Sequence, residues 1–444
     1  MGEWIDAATA AERLGVKPAT LYAYVSRGVL RRRRDEDGRR SLFAAAEIEE
    51  LARRGRPRRP PSPTELAIES ALTTLGPDRH YYRGLDATEL AADHSYEQIA
   101  EFLWTGEPLD APDAGTPGAA ATDGDATDGG APDGDATDGD ATDGDATDGD
   151  ATDGGGWRAP DDGLAAAVAA QAGLPGDVLP LDRLQLITMA LAATDPLRFQ
   201  LDRDGVIATA RALIAGMVDA LPAAGAPAGG SVAGRLWGRL AARPPAPGMT
   251  RALEAALVLL ADHELAASTL AARVAASVRA DPYAVAGVGL GTVGGPLHGG
   301  ASFGAERLFA EIGEPGRAAR VIAERLRDGQ RVPGFGHSVY KSGDRRFAVL
   351  SGLVESVAPD HPAVAVAAAV RAEAARRRLP EPNVDFALAT LTAVAGMPPG
   401  SGEAIFAVAR TAGWLAHALE EYERATPLRP RAVYTGPPPR GRTR

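Results

Sequence analysis

Long stretches with nothing to break a helix constrain this chain more than any other feature. From Met249 to Arg279 there is no Pro or Gly, and Leu253, Leu257 and Leu260 recur at helical spacing. Ala363–Arg378 is equally free of breakers, and Glu403–Glu423 contains only Gly413. Leu181–Leu221 reads as further helices interrupted at Asp-Pro and Gly. Aromatic residues are only 5% of the chain, so Ala, Leu and Val carry the apolar load, which favours helices over sheets. No convincing alternating strand appears outside one short wing near the N-terminus. The expected fold class is all-α, in two or three domains for 444 residues.

One segment stands apart. Residues 121–155 are seven copies of Ala-Thr-Asp-Gly-Asp with small variations. Five residues match no solenoid period, and the unit has no apolar side chain large enough to stack. The segment 111–156 therefore reads as a disordered, self-repelling insert. A calcium site is the competing reading, but the flanking helices and terminal Glu of an EF-hand loop are missing. The insert also accounts for the net charge of −12. It holds 13 of the 59 acidic residues and no Lys or Arg, and the remaining 46 nearly balance the 47 basic residues. The acidity says nothing about partners of the folded parts. The chain has no cysteine, which excludes disulfides, thiol nucleophiles and cysteine-held metals. Asp6, Glu12 and Arg13 interrupt any apolar leader. The longest uncharged stretch elsewhere, Pro282–Ala305, holds eight glycines and two prolines, unlike a membrane helix. A cytoplasmic protein without membrane contact is expected.

Residues 1–58 read as a unit of their own. Asp6 to Tyr22 suggests helix, Gly15-containing turn and second helix, with Thr9 and Glu12 at capping-box spacing. Leu21 and Val25 offer an apolar edge on the second helix. Arg31 to Arg40 suggests a hairpin wing closed by Asp37-Gly38, and a third helix runs from about Ala44 to Arg54. Arg56–Pro63 reads as a linker. The unit carries 13 basic and 9 acidic side chains, with seven of the basic ones at 27–40. It resembles the MerR and excisionase-like winged helix-turn-helix family. That resemblance implies DNA contact through phosphates. A head that packs on a protein partner competes with it, because Thr20, Tyr22 and Tyr24 suit either bases or packing.

Three of the seven histidines lie in conspicuous settings. Asp262-His263-Glu264 sits within the long Ala/Leu run. His298 lies among glycines in Gly294-Gly-Pro-Leu-His-Gly-Gly-Ala301, and His337 does so in Pro333-Gly-Phe-Gly-His-Ser-Val-Tyr-Lys341, followed by Asp344-Arg-Arg346. Glycine flanks let backbone approach a ligand and let an imidazole project into a cavity. Singly, each has an ordinary reading as a turn residue or a surface charge. Together with Pro382-Asn-Val-Asp-Phe386, Phe406-Ala-Val-Ala-Arg410-Thr-Ala-Gly413-Trp-Leu-Ala-His417 and Arg429-Pro-Arg431, they resemble the citrate synthase family. The resemblance covers roughly residues 65–110 and 157–436.

The family resemblance implies a large and a small helical domain preceded by the head. Residues 59–110, 157–300 and 391–444 would form the large domain, and 301–390 the small one. It implies condensation of acetyl-CoA with oxaloacetate, an acyl transfer, followed by hydrolysis of the citryl thioester. Asp385 is the implied base, His298 the donor to the thioester oxygen, and His337 the group that polarises the keto carbonyl. His263, Arg346 and Arg410 are implied to hold the keto acid, with Arg429 lent across a homodimer interface. Lys341 is implied to lie near the coenzyme phosphates, with the stretch Gly334–Gly336 presenting backbone N–H groups. Acetyl-CoA is a cosubstrate, and no permanently bound cofactor is expected. No metal is expected either, since the histidines lack zinc-type spacing and arginines supply the positive charge. 2-Methylcitrate synthase and citryl-CoA lyase share these residues. A DNA-binding regulator that senses a metabolite with the same body is the alternative of another class, though a pure sensor has no need of the base.

Overall fold

A computed structural model of the chain describes residues 4–14, 21–22, 24–25, 30–35, 41–48, 67–109, 157–424, 426–433 and 435–436. The repeat insert, the Arg56–Pro63 linker, the Asp37-Gly38 turn and Thr20 lie outside the described residues. The rest falls into two compact units, one drawn from 1–69 and 430–444, the other from 70–429.

In the first unit, β1 (Trp4–Asp6) leads directly into α1 (Ala7–Leu14), and β2 (Arg32–Arg34) pairs with β3 (Ser41–Ala44). The three strands form an antiparallel sheet in the order β1-β3-β2, with Ile5 opposite Phe43 and Arg33 opposite Leu42. Leu21, Phe43, Ile48 and Ala10 are wholly buried at its core. The helix cap differs from the capping-box expectation. The Thr9 N–H donates to Asp6 Oδ1 (2.8 Å), so Asp6 caps the helix and Thr9 lies inside its first turn. The short strand β1 brings Asp6 to the cap position, and alternation over three residues is too brief to register in sequence.

The second unit opens with strands that the sequence reading did not anticipate. β4 (Thr73–Leu75), β5 (His80–Tyr82) and β6 (Leu85–Asp86) form an antiparallel meander. Arg83 and Gly84 both have positive φ (45° and 93°), the geometry of a tight hairpin turn. With two or three residues per strand, the period of two has too little length to show. His80 and Tyr82 nonetheless share the buried face.

Helices supply the remainder. They are α2 (Ala87–Asp93), α3 (Tyr96–Thr105), α4 (Asp161–Gln171), α5 (Pro180–Thr194), α6 (Arg203–Asp219), α7 (Val232–Leu240), α8 (Met249–Leu260) and α9 (Ala267–Ser277). α10 (Pro282–Val293), α11 (Gly300–Ile312), α12 (Ala318–Arg327), α13 (Arg345–Val357), α14 (Pro362–Arg376), α15 (Val384–Ala395) and α16 (Ser401–Glu423) follow. Local chemistry sets several ends. Ser95 and Gln98 form a reciprocal capping box on α3, whose C-terminus stops at left-handed Gly106. Asp281 caps α10 with Pro282 at its first position. None of the helices is long and apolar enough to cross a membrane, among the described residues.

The uninterrupted helix expected over 249–279 is in fact two. α8 ends at Leu260 and α9 starts at Ala267, and Asp262-His263-Glu264 occupies the connection, with Glu264 at φ 54°. Tertiary contacts override propensity here. The Gly413 N–H donates to the Ala261 carbonyl (3.0 Å), Asp262 Oδ2 faces His417 (3.3 Å), and the Tyr82 hydroxyl donates to the Val258 carbonyl (2.8 Å). α16 is buried on all sides along almost its full length, the pattern of a core helix. The larger core surrounds it. A second, smaller core gathers Leu308, Phe309, Val321, Val370 and Phe386, from α11, α12, α14 and α15.

Candidate active site

A cavity of about 1180 Å³ is lined by His263, His298, His337, Arg346, Asp385 and Arg410, with Lys341, Gly334 and Gly336 also in its wall. The three conspicuous histidines thus share one space. So do the candidate base, both buried arginines and the three positions expected near the coenzyme. Arg429 does not line the cavity and is exposed beyond α16.

His298 sits in the tight turn between α10 and α11. A Cβ on Gly300 would approach the Gly294 and Gly295 carbonyls to 2.9 Å, so the turn requires glycine there. Its Nε2 lies 2.7 Å from Ser268 Oγ and accepts from the Ser268 N–H (3.4 Å), while the Trp414 indole N–H donates to Ser268 Oγ (3.1 Å). This chain of donors places the Nε2 lone pair toward Ser268 and leaves the proton on Nδ1. Burial, then the Arg410 charge, lowers the imidazole to about 4. The ring is a neutral donor near pH 7.

His337 is fixed in the opposite tautomer. The Val339 and Tyr340 N–H groups donate to Nδ1 at 3.0 and 3.2 Å, so the proton resides on Nε2. Nε2 then faces Arg346 Nη2 at 3.2 Å, and two donors opposed at that distance satisfy neither. An oxygen acceptor between them serves both. Burial, then Arg346, lowers this imidazole to about 4 as well.

Arg346 is buried and held in a fork by Asp344, with Nε and Nη2 donating to its two carboxylate oxygens, each at 2.9 Å. The adjacent Arg345 is exposed, so Arg346 is the arginine that faces inward. Arg410, on α16, donates from Nε to the Leu260 carbonyl (2.7 Å) and lies over the Phe406 ring at 4.6 Å. Among the described residues its buried Nη1 finds no partner. A buried cationic donor left unpaired is costly and suits an anionic ligand. His263 Nε2 shares a hydrogen bond with the Tyr340 hydroxyl (2.7 Å), and its own burial, then Arg346, keeps the ring neutral.

Asp385 lies in the first turn of α15, where the Asn383 side chain caps its N–H (3.1 Å). Ser302 Oγ donates to its Oδ1 at 2.5 Å. Desolvation raises the carboxyl to about 6 against the opposing pull of Ser302 and Arg346. It is ionised at neutral pH and more basic than an ordinary carboxylate. Gly334 (φ 81°) lies against Phe386, where a Cβ would come within 2.8 Å of the Phe386 Cβ. The Gly336 N–H donates to the Glu381 carbonyl (2.7 Å) beside the short bridge of Phe335 with Pro382, and Gly336 itself lines the cavity. Lys341 Nζ donates to the His337 carbonyl (2.9 Å) at the exposed edge.

Sequence reasoning assigned no role to Ser302, Ser268, Asp344 or Tyr340. Asp344 had a local signal, two residues before Arg346. Ser302 had none, since it lies 83 positions from the carboxylate it touches.

Comparison with known proteins places the chain in a family. The family model described as citrate synthase, C-terminal domain, matches residues 157–431, and a helix-turn-helix domain model matches residues 4–56. Citrate synthase 2 of Bacillus subtilis is 40% identical over 197 residues, which cover 44% of this chain and 53% of that protein. The chain thus spans about half the length of this curated relative. The citrate synthase of Haloferax volcanii is 30% identical over 398 residues, covering 84% of this chain and 94% of that protein. In fold, the chain resembles the citrate synthase of Thermoplasma acidophilum, solved as a ternary complex with carboxymethyl coenzyme A and oxaloacetate. The TM-score is 0.63 at 24% identity, over 84% of this chain and 95% of that one. With a family model spanning more than half its length and a relative matched almost end to end, the chain belongs to the citrate synthase family.

Proposed function

We propose that the protein is a citrate synthase, condensing acetyl-CoA with oxaloacetate and hydrolysing citryl-CoA to citrate and CoA. The observation that carries this reading is the pair of opposite imidazole tautomers, His298 with its proton on Nδ1 and His337 on Nε2, in one cavity with a carboxylate of raised basicity.

Asp385 removes a proton from the acetyl methyl group while His298 Nδ1–H donates to the thioester oxygen, which takes up the enolate charge. Oxaloacetate sits with its keto oxygen between His337 Nε2–H and Arg346, and its carboxylates on Arg346, Arg410 and His263. The enolate carbon attacks the keto carbon, and His337 gives its Nε2 proton to the new alkoxide and regains one from the attacking water, while Asp385 returns the methyl proton to solvent. Water then cleaves the thioester, releasing CoA. Neutral histidines suit this chemistry because they donate without bringing a full charge into a dry site. Lys341 lies at the open edge, where coenzyme phosphates would pass. His298 follows a helix of the larger core, whereas Phe335 and Phe386, flanking His337 and Asp385, pack in the smaller one. That division supports closure of a small domain, 301–390, on a large one during turnover.

The test is thiol release from acetyl-CoA and, separately, propionyl-CoA, with oxaloacetate. Faster release with acetyl-CoA is expected. A propionyl preference moves the protein to 2-methylcitrate synthesis. No release from folded protein overturns the synthase reading in favour of citryl-CoA cleavage or metabolite sensing.

Two partner assignments accompany the reading. Leu186 and Met189 on α5, Val288 on α10, and Val274 and Val278 at α9 are each more than 40% exposed, although they are large and apolar. α5, α10 and α9 pack side by side, so these residues form an apolar face suited to a second copy of the chain. A homodimer of this kind would let Arg429 serve the partner's keto-acid site. Val288→Arg is expected to yield a monomer in sedimentation velocity, with most activity lost; an active monomer refutes the shared site. The head, in turn, presents three consecutive exposed arginines along β2. DNA binding through this wing is expected to weaken steeply with salt, by close to one power of concentration per phosphate contact. Salt-insensitive binding in a gel-shift titration points instead to a protein partner.

A further inference from the structure

Behind the keto-acid pocket lies an imidazole that the proposed chemistry does not use. His80, on β5 opposite Leu75, is wholly buried. Its ring packs edge-on against Tyr82 (4.9 Å between centroids) and, tilted by 56°, against His263 (5.5 Å). His263 packs edge-on against His337 at 5.6 Å and bonds to Tyr340. His80 is therefore one ring removed from the substrate-facing surface, at the back of a stack that ends in the cavity.

Among the described residues, neither His80 ring nitrogen has a hydrogen-bond partner. Protein interiors pair nearly all buried polar groups, because an unpaired one forfeits the hydration it had in the unfolded chain. An apolar side chain of comparable volume fills the space between Tyr82 and His263 without that penalty. The penalty is accepted at a position that feels the charges of Arg346 and Arg410, the two arginines of the proposed keto-acid site, and of Asp344 and Asp262. Burial first, then Arg346, holds the imidazole near 3, so the ring is uncharged at any working pH. It offers a polar surface to His263 without adding to the positive charge already supplied by two guanidinium groups.

We propose that His80 is a positioning residue for keto-acid recognition, fixing the orientation of His263 from behind so that it meets a carboxylate already held by Arg346 and Arg410. His80 does not itself touch the substrate. The proposal rests on the reading of this cavity as a keto-acid site.

The test compares His80→Leu and His80→Gln with the wild type in the full-length protein, using thermal melts, steady-state kinetics and calorimetric titration with oxaloacetate. His80→Leu removes the unpaired nitrogens, so its Tm is expected to rise. Its oxaloacetate KM and Kd are expected to rise about tenfold as the polar ring behind His263 is replaced by an alkyl group, with kcat at saturation and the acetyl-CoA KM within about twofold. His80→Gln keeps a donor and an acceptor and is expected to stay within about threefold of the wild-type Kd. A core residue without this role gives a different result: unchanged oxaloacetate affinity in the leucine variant, or both variants less stable than the wild type or unfolded. Either result overturns the proposal. Failure of the wild type to bind oxaloacetate overturns the keto-acid reading itself, whereas normal wild-type binding with an unaffected leucine variant overturns only the role of His80.

Discussion

Asp385→Asn is expected to lower kcat by about three orders of magnitude while leaving oxaloacetate Kd within about twofold. The substitution keeps the shape of the side chain and a hydrogen-bond acceptor for Ser302, but an amide cannot accept the methyl proton. Keto-acid binding is carried by other residues, so calorimetry should find it nearly intact. The raised basicity of Asp385 adds a pH signature. The base must be ionised to act, so wild-type kcat should fall as pH drops through about 6, earlier than for an ordinary carboxylate. Ser302 donates to the ionised form and holds this value down, so Ser302→Ala should move the acid limb to higher pH. The same shift has a stability consequence. A carboxyl whose folded value lies above its unfolded one destabilises the fold once pH exceeds both, and that burden is relieved as pH falls through about 6. The neutral asparagine variant should therefore melt at a higher temperature than the wild type at pH 7. Turnover within tenfold of the wild type would exclude Asp385 as the base.

His298→Ala is expected to reduce kcat by about two to three orders of magnitude, the usual loss for a donor to a developing oxyanion. The ring does not remove the proton; it stabilises the enolate that results. Solvent exchange of the acetyl-CoA methyl protons should therefore fall in step with condensation. Ser268→Ala, which frees the imidazole to adopt the other tautomer, is expected to cost less, about tenfold, because the ring remains in place. Neither histidine should add an ionisation to the kcat profile above about pH 5, since burial holds both near 4. Equal methyl exchange in wild type and His298→Ala would remove the thioester contact from the mechanism.

Much of this protein was legible in the chain itself. Breaker-free runs announced α14 and α16, because helical periodicity is decided within about four residues. The residues lining the cavity were named through the resemblance that the motifs around His298, His337 and Asp385 carry together. Other features needed the folded molecule. Asp262-His263-Glu264 has helical propensity on both sides, yet Gly413, His417 and Tyr82 hold it open from distant parts of the chain. Strands of two or three residues gave no readable alternation. Asp344-Arg345-Arg346 offered two candidate arginines, and packing alone buried the second. The chemical state of the site was decided at longest range: Trp414 and Ser268 set the tautomer of His298, Ser302 opposes the desolvation of Asp385, and the carbonyl of Leu260 anchors Arg410 from 150 residues away. The sequence determined which functional groups are present and which local turns display them. Tertiary structure decided which proton each group carries, because desolvation and hydrogen bonding act through space between segments that local pattern does not connect.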